Sequence, residues 1–364
     1  MESDSVKTVF KITVTLIFIV MLTFFSSAAD FTDSLDSETK ELLFSMGIES
    51  TEFESIFNIT SKDLFNTIIG VFKGNMKEPM RFLVTACSAV LLMALLESLT
   101  VFSDKSKMIF ETVGSLFAVA VSIPSMTDVI RSSVAAVETA GGFMKALIPV
   151  LAGVIAASGA ALTSVFWQSA VFSASQTVAS VATRIMSPCC GLIMGIGILD
   201  SINADMKMSS VAEAVKKTAV WIFSTSATLF TAFLSLKGIL AGNADTLTAK
   251  GAKLLIGTLP VVGSQISEAY SSVMGSLSLV RSSTAVFAMA ALFICVLPSV
   301  IRLVLWIFAL KATSLAATLL GQTKAASLMK CCSTALTMLN MCIVFTAVLF
   351  IISIGIVLKI RTGA

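Results

Sequence analysis

Residues 334–358 read TALTMLNMCIVFTAVLFIISIGIVL, twenty-five positions without a charge. A helix of that length crosses the roughly 30 Å of hydrocarbon in a bilayer. Outward from it, 285–310, 218–240, 185–202, 108–127 and 80–101 have the same character, with Pro298, Pro188 and Pro124 inside three of them. The whole chain of 364 residues is 56% hydrophobic and 13% charged, with a mean hydropathy of +0.95. Ordinary soluble domains carry about 25% charged residues, so this composition excludes a typical soluble enzyme. The expected fold is all-α, a polytopic transmembrane helical bundle.

Between these spans lie segments of another kind. Residues 143–165 are apolar but rich in Gly and Ala and carry Pro149, which reads as a broken or re-entrant helix. Residues 166–184 alternate Ser, Ala, Thr and Gln with apolar residues, the pattern of a helix facing protein on both sides. In 185–202 the GxxxG pair Gly191 and Gly195 predicts close approach of another backbone. After the charged stretch 205–217 the order recurs: a span, then 251–260 ending at Pro260, a Ser-rich helix over 265–281, and the span 285–310. Four of the six prolines match, Pro149 with Pro260 and Pro188 with Pro298, at offsets of 111 and 110. We therefore expect a duplicated unit of span, broken hairpin, polar helix and span, with repeat 1 over 108–202 and repeat 2 over 218–310. The final span, 334–358, stands outside it.

The net charge of +3 hides a split. Residues 30–63 carry a net charge of −7 and residues 64–364 a net charge of +10, while the first 29 balance. Those 29 residues have Lys7 and Lys11, an apolar stretch over 12–25 and the small-residue end Ser26-Ser27-Ala28-Ala29. This predicts a signal peptide cut after Ala29, the alternative being an uncleaved anchor helix. Residues 30–79 then form an acidic, amphipathic extracytoplasmic segment, and 80–364 a multi-span membrane domain. Eight Lys residues in three alternate loops (Lys105, Lys107, Lys207, Lys216, Lys217, Lys311, Lys324 and Lys330) place those loops in the cytoplasm and make the repeats parallel.

The chain has no histidine and no P-loop, HExxH or GxSxG motif. The residues for imidazole catalysis, nucleotide hydrolysis and the familiar hydrolase mechanisms are therefore missing, so no enzyme activity, catalytic residue or cofactor is expected. Seven cysteines, none in CxxC spacing, read as packing residues rather than metal ligands. Basic residues are dispersed, which leaves no nucleic-acid surface. What remains is a set of ionisable groups in or beside spans: Glu97, Lys145, Arg184, Asp200, Lys237, Glu268, Arg281 and Arg302. Such groups are costly in hydrocarbon unless paired, hydrated or snorkelling. Lys145, Pro149 and Gln168 in the first half, with Pro260, Gln265 and Glu268 in the second, are the candidate pore or substrate path; Gln176 lies on the same polar helix as Gln168. Hydrogen bonding within the bundle is the alternative reading of those helices.

In this order the chain resembles the stage III sporulation protein AE family of endospore-forming bacteria. The segments that carry the resemblance are Glu41-Leu42-Leu43, residues 141–151 (GGFMKALIPVL), Ser187-Pro188 and residues 253–263 (KLLIGTLPVVG). The resemblance implies a multi-pass protein of the mother-cell membrane around the forespore. It would belong to a feeding-tube-like secretion complex needed for late forespore development. The implied partners are other stage III sporulation membrane proteins including a secretion-type ATPase, a partner anchored in the forespore membrane, a membrane insertase and the lipid bilayer. Two readings follow: a non-enzymatic component of that sporulation channel, its permease-like core, or a stand-alone secondary transporter with its substrate site at the broken hairpins. A purely structural scaffold is the third.

Overall fold

The computed structural model describes residues 61–99, 104–202, 209–257 and 263–359. The expected signal peptide, most of the acidic segment and Pro260 lie outside them. The chain divides into two compact units, Met1–Gly70 and Val71–Ala364. Of the first, only 61–70 are described, and they are helical.

Every element among the described residues is helical: α1 (Ser61–Leu99), α2 (Asp104–Ala157), α3 (Ala161–Val181), a π-helical turn (Ala182–Met186), α4 (Ser187–Ile202), α5 (Ser209–Gly257), α6 (Gly263–Leu319) and α7 (Thr323–Lys359). Among the described residues, five segments are long and apolar enough to cross a membrane: Ile69–Leu96, Leu116–Ala157, Ala161–Ile202, Ser283–Leu319 and Thr323–Leu358. The 54 residues of α2 extend about 80 Å, so only part of that helix fits within a bilayer's hydrocarbon.

The helices are longer than the sequence pattern predicts because proline does not end them. α2 runs unbroken through Pro124 and Pro149, joining the expected span 108–127 to the expected broken helix. Both prolines are exposed, so the carbonyls they leave unbonded open toward the outer face and the helix need not stop. Pro79 likewise lies inside α1, so no helix boundary falls at 79. Pro188 follows the π-helical turn, whose wider winding takes up the missing hydrogen bond and keeps 161–202 continuous. The polar helix and the span of the first half are thus one element, and in the second half both lie in α6.

The chain reverses instead at Gly159 and Gly321, which hold φ of 85° and 78°. At each, the next amide reaches back five residues, Ala160 N to the Ile155 carbonyl at 3.3 Å and Gln322 N to the Ala317 carbonyl at 2.9 Å. This Schellman closure needs a left-handed residue, which glycine adopts without a Cβ clash. The Ser164 hydroxyl donates to the Ala152 carbonyl at 2.6 Å and ties α2 to α3 beside the first turn. These breaks do not keep the proline offset. Shifted by 111, the turn at 158–160 falls at 269–271, inside α6.

α7 is the central element. It packs against α2, α4, α5 and α6, and reaches α3 where the Trp167 indole donates to the Ser353 carbonyl at 2.8 Å. Residues 331–340 are all buried, as expected of a helix apolar on every side.

Within Val71–Ala364, α1 meets the bundle through a few side chains. Phe82 packs against Trp306 with tilted rings whose centroids are 5.3 Å apart, and Arg302 pairs with Glu78 at 2.9 Å. Both contacts join residues 224 apart, so α1 and α6 run parallel. Arg302 therefore does more than snorkel to an interface. Because both partners keep solvent access, Arg302→Glu should weaken α1 docking by only about 0.2–1 kcal/mol. Protease nicking of α1 should rise in Arg302→Glu and return to the wild-type rate in Glu78→Arg/Arg302→Glu. Equal nicking in all three proteins would show that the ring contact alone holds α1.

Candidate functional site

The path residues expected from sequence fall into three groups. Lys145 is half-buried, and its ammonium donates to the Gln176 Oε1 at 2.6 Å, joining α2 to α3 on the hairpin's outer surface. Gln168 is exposed on α3, about two turns nearer the Gly159 reversal, and Pro149 is exposed on α2. Gln265 and Glu268 lie in the opening turns of α6. The structure thus brings Lys145 to Gln176, and it leaves Lys145, Pro149 and Gln168 on the surface of the described bundle.

The GxxxG expectation is also redirected. A Cβ built on Gly191 or Gly195 meets nothing within 4 Å, so neither mediates a close approach to another described helix. Gly197 does: a Cβ there would stand 2.6 Å from the Cys331 Cβ. The close contact of α4 with α7 lies two residues beyond the motif.

One set of interior polar groups lies on α7. Ser333, Thr337 and Asn340 are 2%, 6% and 3% exposed and share one face at i, i+4 and i+7. The Thr337 hydroxyl donates to the Ser333 carbonyl at 2.7 Å. The Ser333 hydroxyl and the Asn340 Oδ1 have no hydrogen-bond partner among the described residues, and neither has the buried indole N–H of Trp306. A buried polar atom left so costs about 1–3 kcal/mol. Sequence reasoning passed over them because it set the last span outside the repeat, although an Asn in the quoted stretch was a visible signal.

A second polar group lies near the start of α7. Asp200, at the end of α4, is buried and accepts a hydrogen bond from Ser327; Lys324 is also buried. Glu213 and Lys216 sit near the beginning of α5. Burial lowers the Lys216 ammonium from its ordinary range, Glu213 opposes that shift, and Lys217 adds to it. Near the Gly159 reversal, buried Arg281 of α6 donates to the Ser158 hydroxyl at 3.3 Å.

Long apolar helices packed around a central helix define a polytopic all-α membrane protein. The chain belongs to the stage III sporulation protein AE family, whose profile matches residues 42–360. A stage III sporulation protein AE from Bacillus subtilis (strain 168) is 25% identical over 162 residues, 44% of this chain and 40% of that protein. The aligned part therefore spans less than half the length of that relative. No solved structure matches.

Proposed function

We propose that this chain is a non-enzymatic membrane component of the sporulation channel, the feeding-tube-like complex between mother cell and forespore, and that α7 is its permease-like core. One observation carries the reading: the most enclosed helix of the bundle presents Ser333, Thr337 and Asn340 along one face, two of them with unmet hydrogen-bonding atoms. A helix that served only as a pillar would be more stable with leucine or alanine there. In this proposal that face lines the transit path, and its neighbours close over it in the observed packing. Lys145, Gln168, Gln265 and Glu268 line the approach on the outer side, and the duplicated unit rests on the spacing of Pro149, Pro188, Pro260 and Pro298.

The protein acts in the mother-cell membrane around the forespore after a cleaved signal directs it there. It works with other stage III sporulation proteins including a secretion-type ATPase, with a forespore-membrane partner, and with an insertase for assembly. A stand-alone transporter built on helix breaks is less well supported, because α2 continues through Pro149.

Deletion in the native endospore-former should arrest development after engulfment, with small forespores and little late forespore gene expression, while vegetative growth stays normal. Asn340→Leu should keep or raise the unfolding temperature and protein level, yet lower spore yield about tenfold or more, as loss of a path-lining group would. Normal spore yield in both strains would refute the proposal. A variant that lost protein and spores together would make Asn340 a packing residue instead.

A further inference from the structure

The outer face of the α2–α3 hairpin carries opposite charges at one level. Glu138 on α2 and Arg184 in the π-helical turn after α3 are both exposed, and neither has an ion-pair partner among the described residues. Both lie within segments apolar enough to cross a membrane, Leu116–Ala157 and Ala161–Ile202. Three contacts set the register of the two antiparallel arms: Ser164 with Ala152, Lys145 with Gln176, and the Cβ position of Gly141, 3.6 Å from the Ser175 carbonyl. Two turns along each arm from the Lys145–Gln176 contact lie Glu138 and Thr183, so Glu138 is level with Arg184 to within about one turn. The same face of α3 exposes Ser169, Ser173 and Gln176 at i, i+4 and i+7.

A face of hydroxyls, an amide and two lone charges on apolar helices is poorly suited to lipid and well suited to another helix. We propose that this face is the interface of a homodimer whose two-fold axis runs parallel to the helices. Such an axis keeps every residue at its own level and sets the same surface of both copies together. α2 of one copy then packs beside α3 of the other, and Glu138 of each meets Arg184 of its partner, so the ion pair forms twice. The charge complementarity is what selects a second copy over a different partner, because both halves of the pair are already present at one level on one face. This inference does not depend on the channel role.

The test uses the full-length chain in lipid nanodiscs and in mild detergent, with mass measured across a concentration series and helical content checked by circular dichroism. The wild type should be dimeric. Glu138→Arg and Arg184→Glu should each raise the dissociation constant by at least about tenfold, the equivalent of roughly 1.4 kcal/mol, and Glu138→Arg/Arg184→Glu should restore dimerisation. Should a reversed-charge chain lose helical content, Glu138→Gln and Arg184→Gln replace it, with the same weakening expected. A monomeric wild type, or a double reversal no better than the singles, would overturn the proposal and leave the face to lipid or to another protein.

Discussion

Gly197→Ala should destabilise the folded protein by about 1–3 kcal/mol, although it adds a single methyl group. The new Cβ would sit 2.6 Å from the Cys331 Cβ, 3.4 Å from its Sγ and 3.6 Å from Leu328 Cδ1. A clash between two Cβ atoms cannot be relieved by rotating a side chain, so α4 and α7 must move apart. Their separation would strain the neighbouring contacts of Cys190 with the Ala335 carbonyl and of Ser327 with Asp200. Gly195→Ala is the matched control, since its Cβ would meet nothing within 4 Å. It should be neutral or slightly stabilising, because alanine favours the helix. Cys331→Gly in the Gly197→Ala chain should recover part of the loss, whereas Cys331→Ala, which keeps the Cβ, should not. Unfolding temperature in detergent measures all four variants. Equal temperatures for Gly197→Ala and Gly195→Ala would show that α4 and α7 do not approach so closely.

Trp167→Ala should cost about 3–5 kcal/mol, the range for removing a buried aromatic side chain. Trp167 is 2% exposed and joins α3 to α7 by its hydrogen bond to the Ser353 carbonyl at 2.8 Å. Trp167→Phe separates the two contributions. It keeps much of the apolar volume and loses the N–H, so about 1 kcal/mol should go with the hydrogen bond. An unfolding temperature for Trp167→Ala within error of the wild type would mean that the contact between α3 and α7 adds nothing to the fold.

The helical, membrane-crossing character of the chain was legible because it follows from averages over twenty or more residues, which no single contact can reverse. Helix ends were less legible. Pro149 was read as a break, yet it lies inside α2, just as Pro124 and Pro298 lie inside helices. The glycines that do reverse the chain, Gly159 and Gly321, look in sequence like any other glycine in a membrane helix. Lys145 and Gln176 stood out in the sequence as polar groups on apolar helices, and they hydrogen-bond to each other between α2 and α3, as the reading of hydrogen bonding within the bundle expects. Which way that polar face turns was not legible, because a Ser- and Gln-rich helix has the same composition whether its polar face turns inward or outward.

Sequence alone determined that this is a chain of long apolar helices of the stage III sporulation protein AE type, since hydropathy and family pattern are properties of the linear order. Only the tertiary structure decided that α7 is the central helix, that Gly197 rather than Gly191 or Gly195 lies at a close helix crossing, and that Asn340 is enclosed. In membrane-crossing helices nearly every face is apolar, so the pattern that shows which side of a soluble helix is buried is faint, and the choice falls to side-chain shape and close packing between helices.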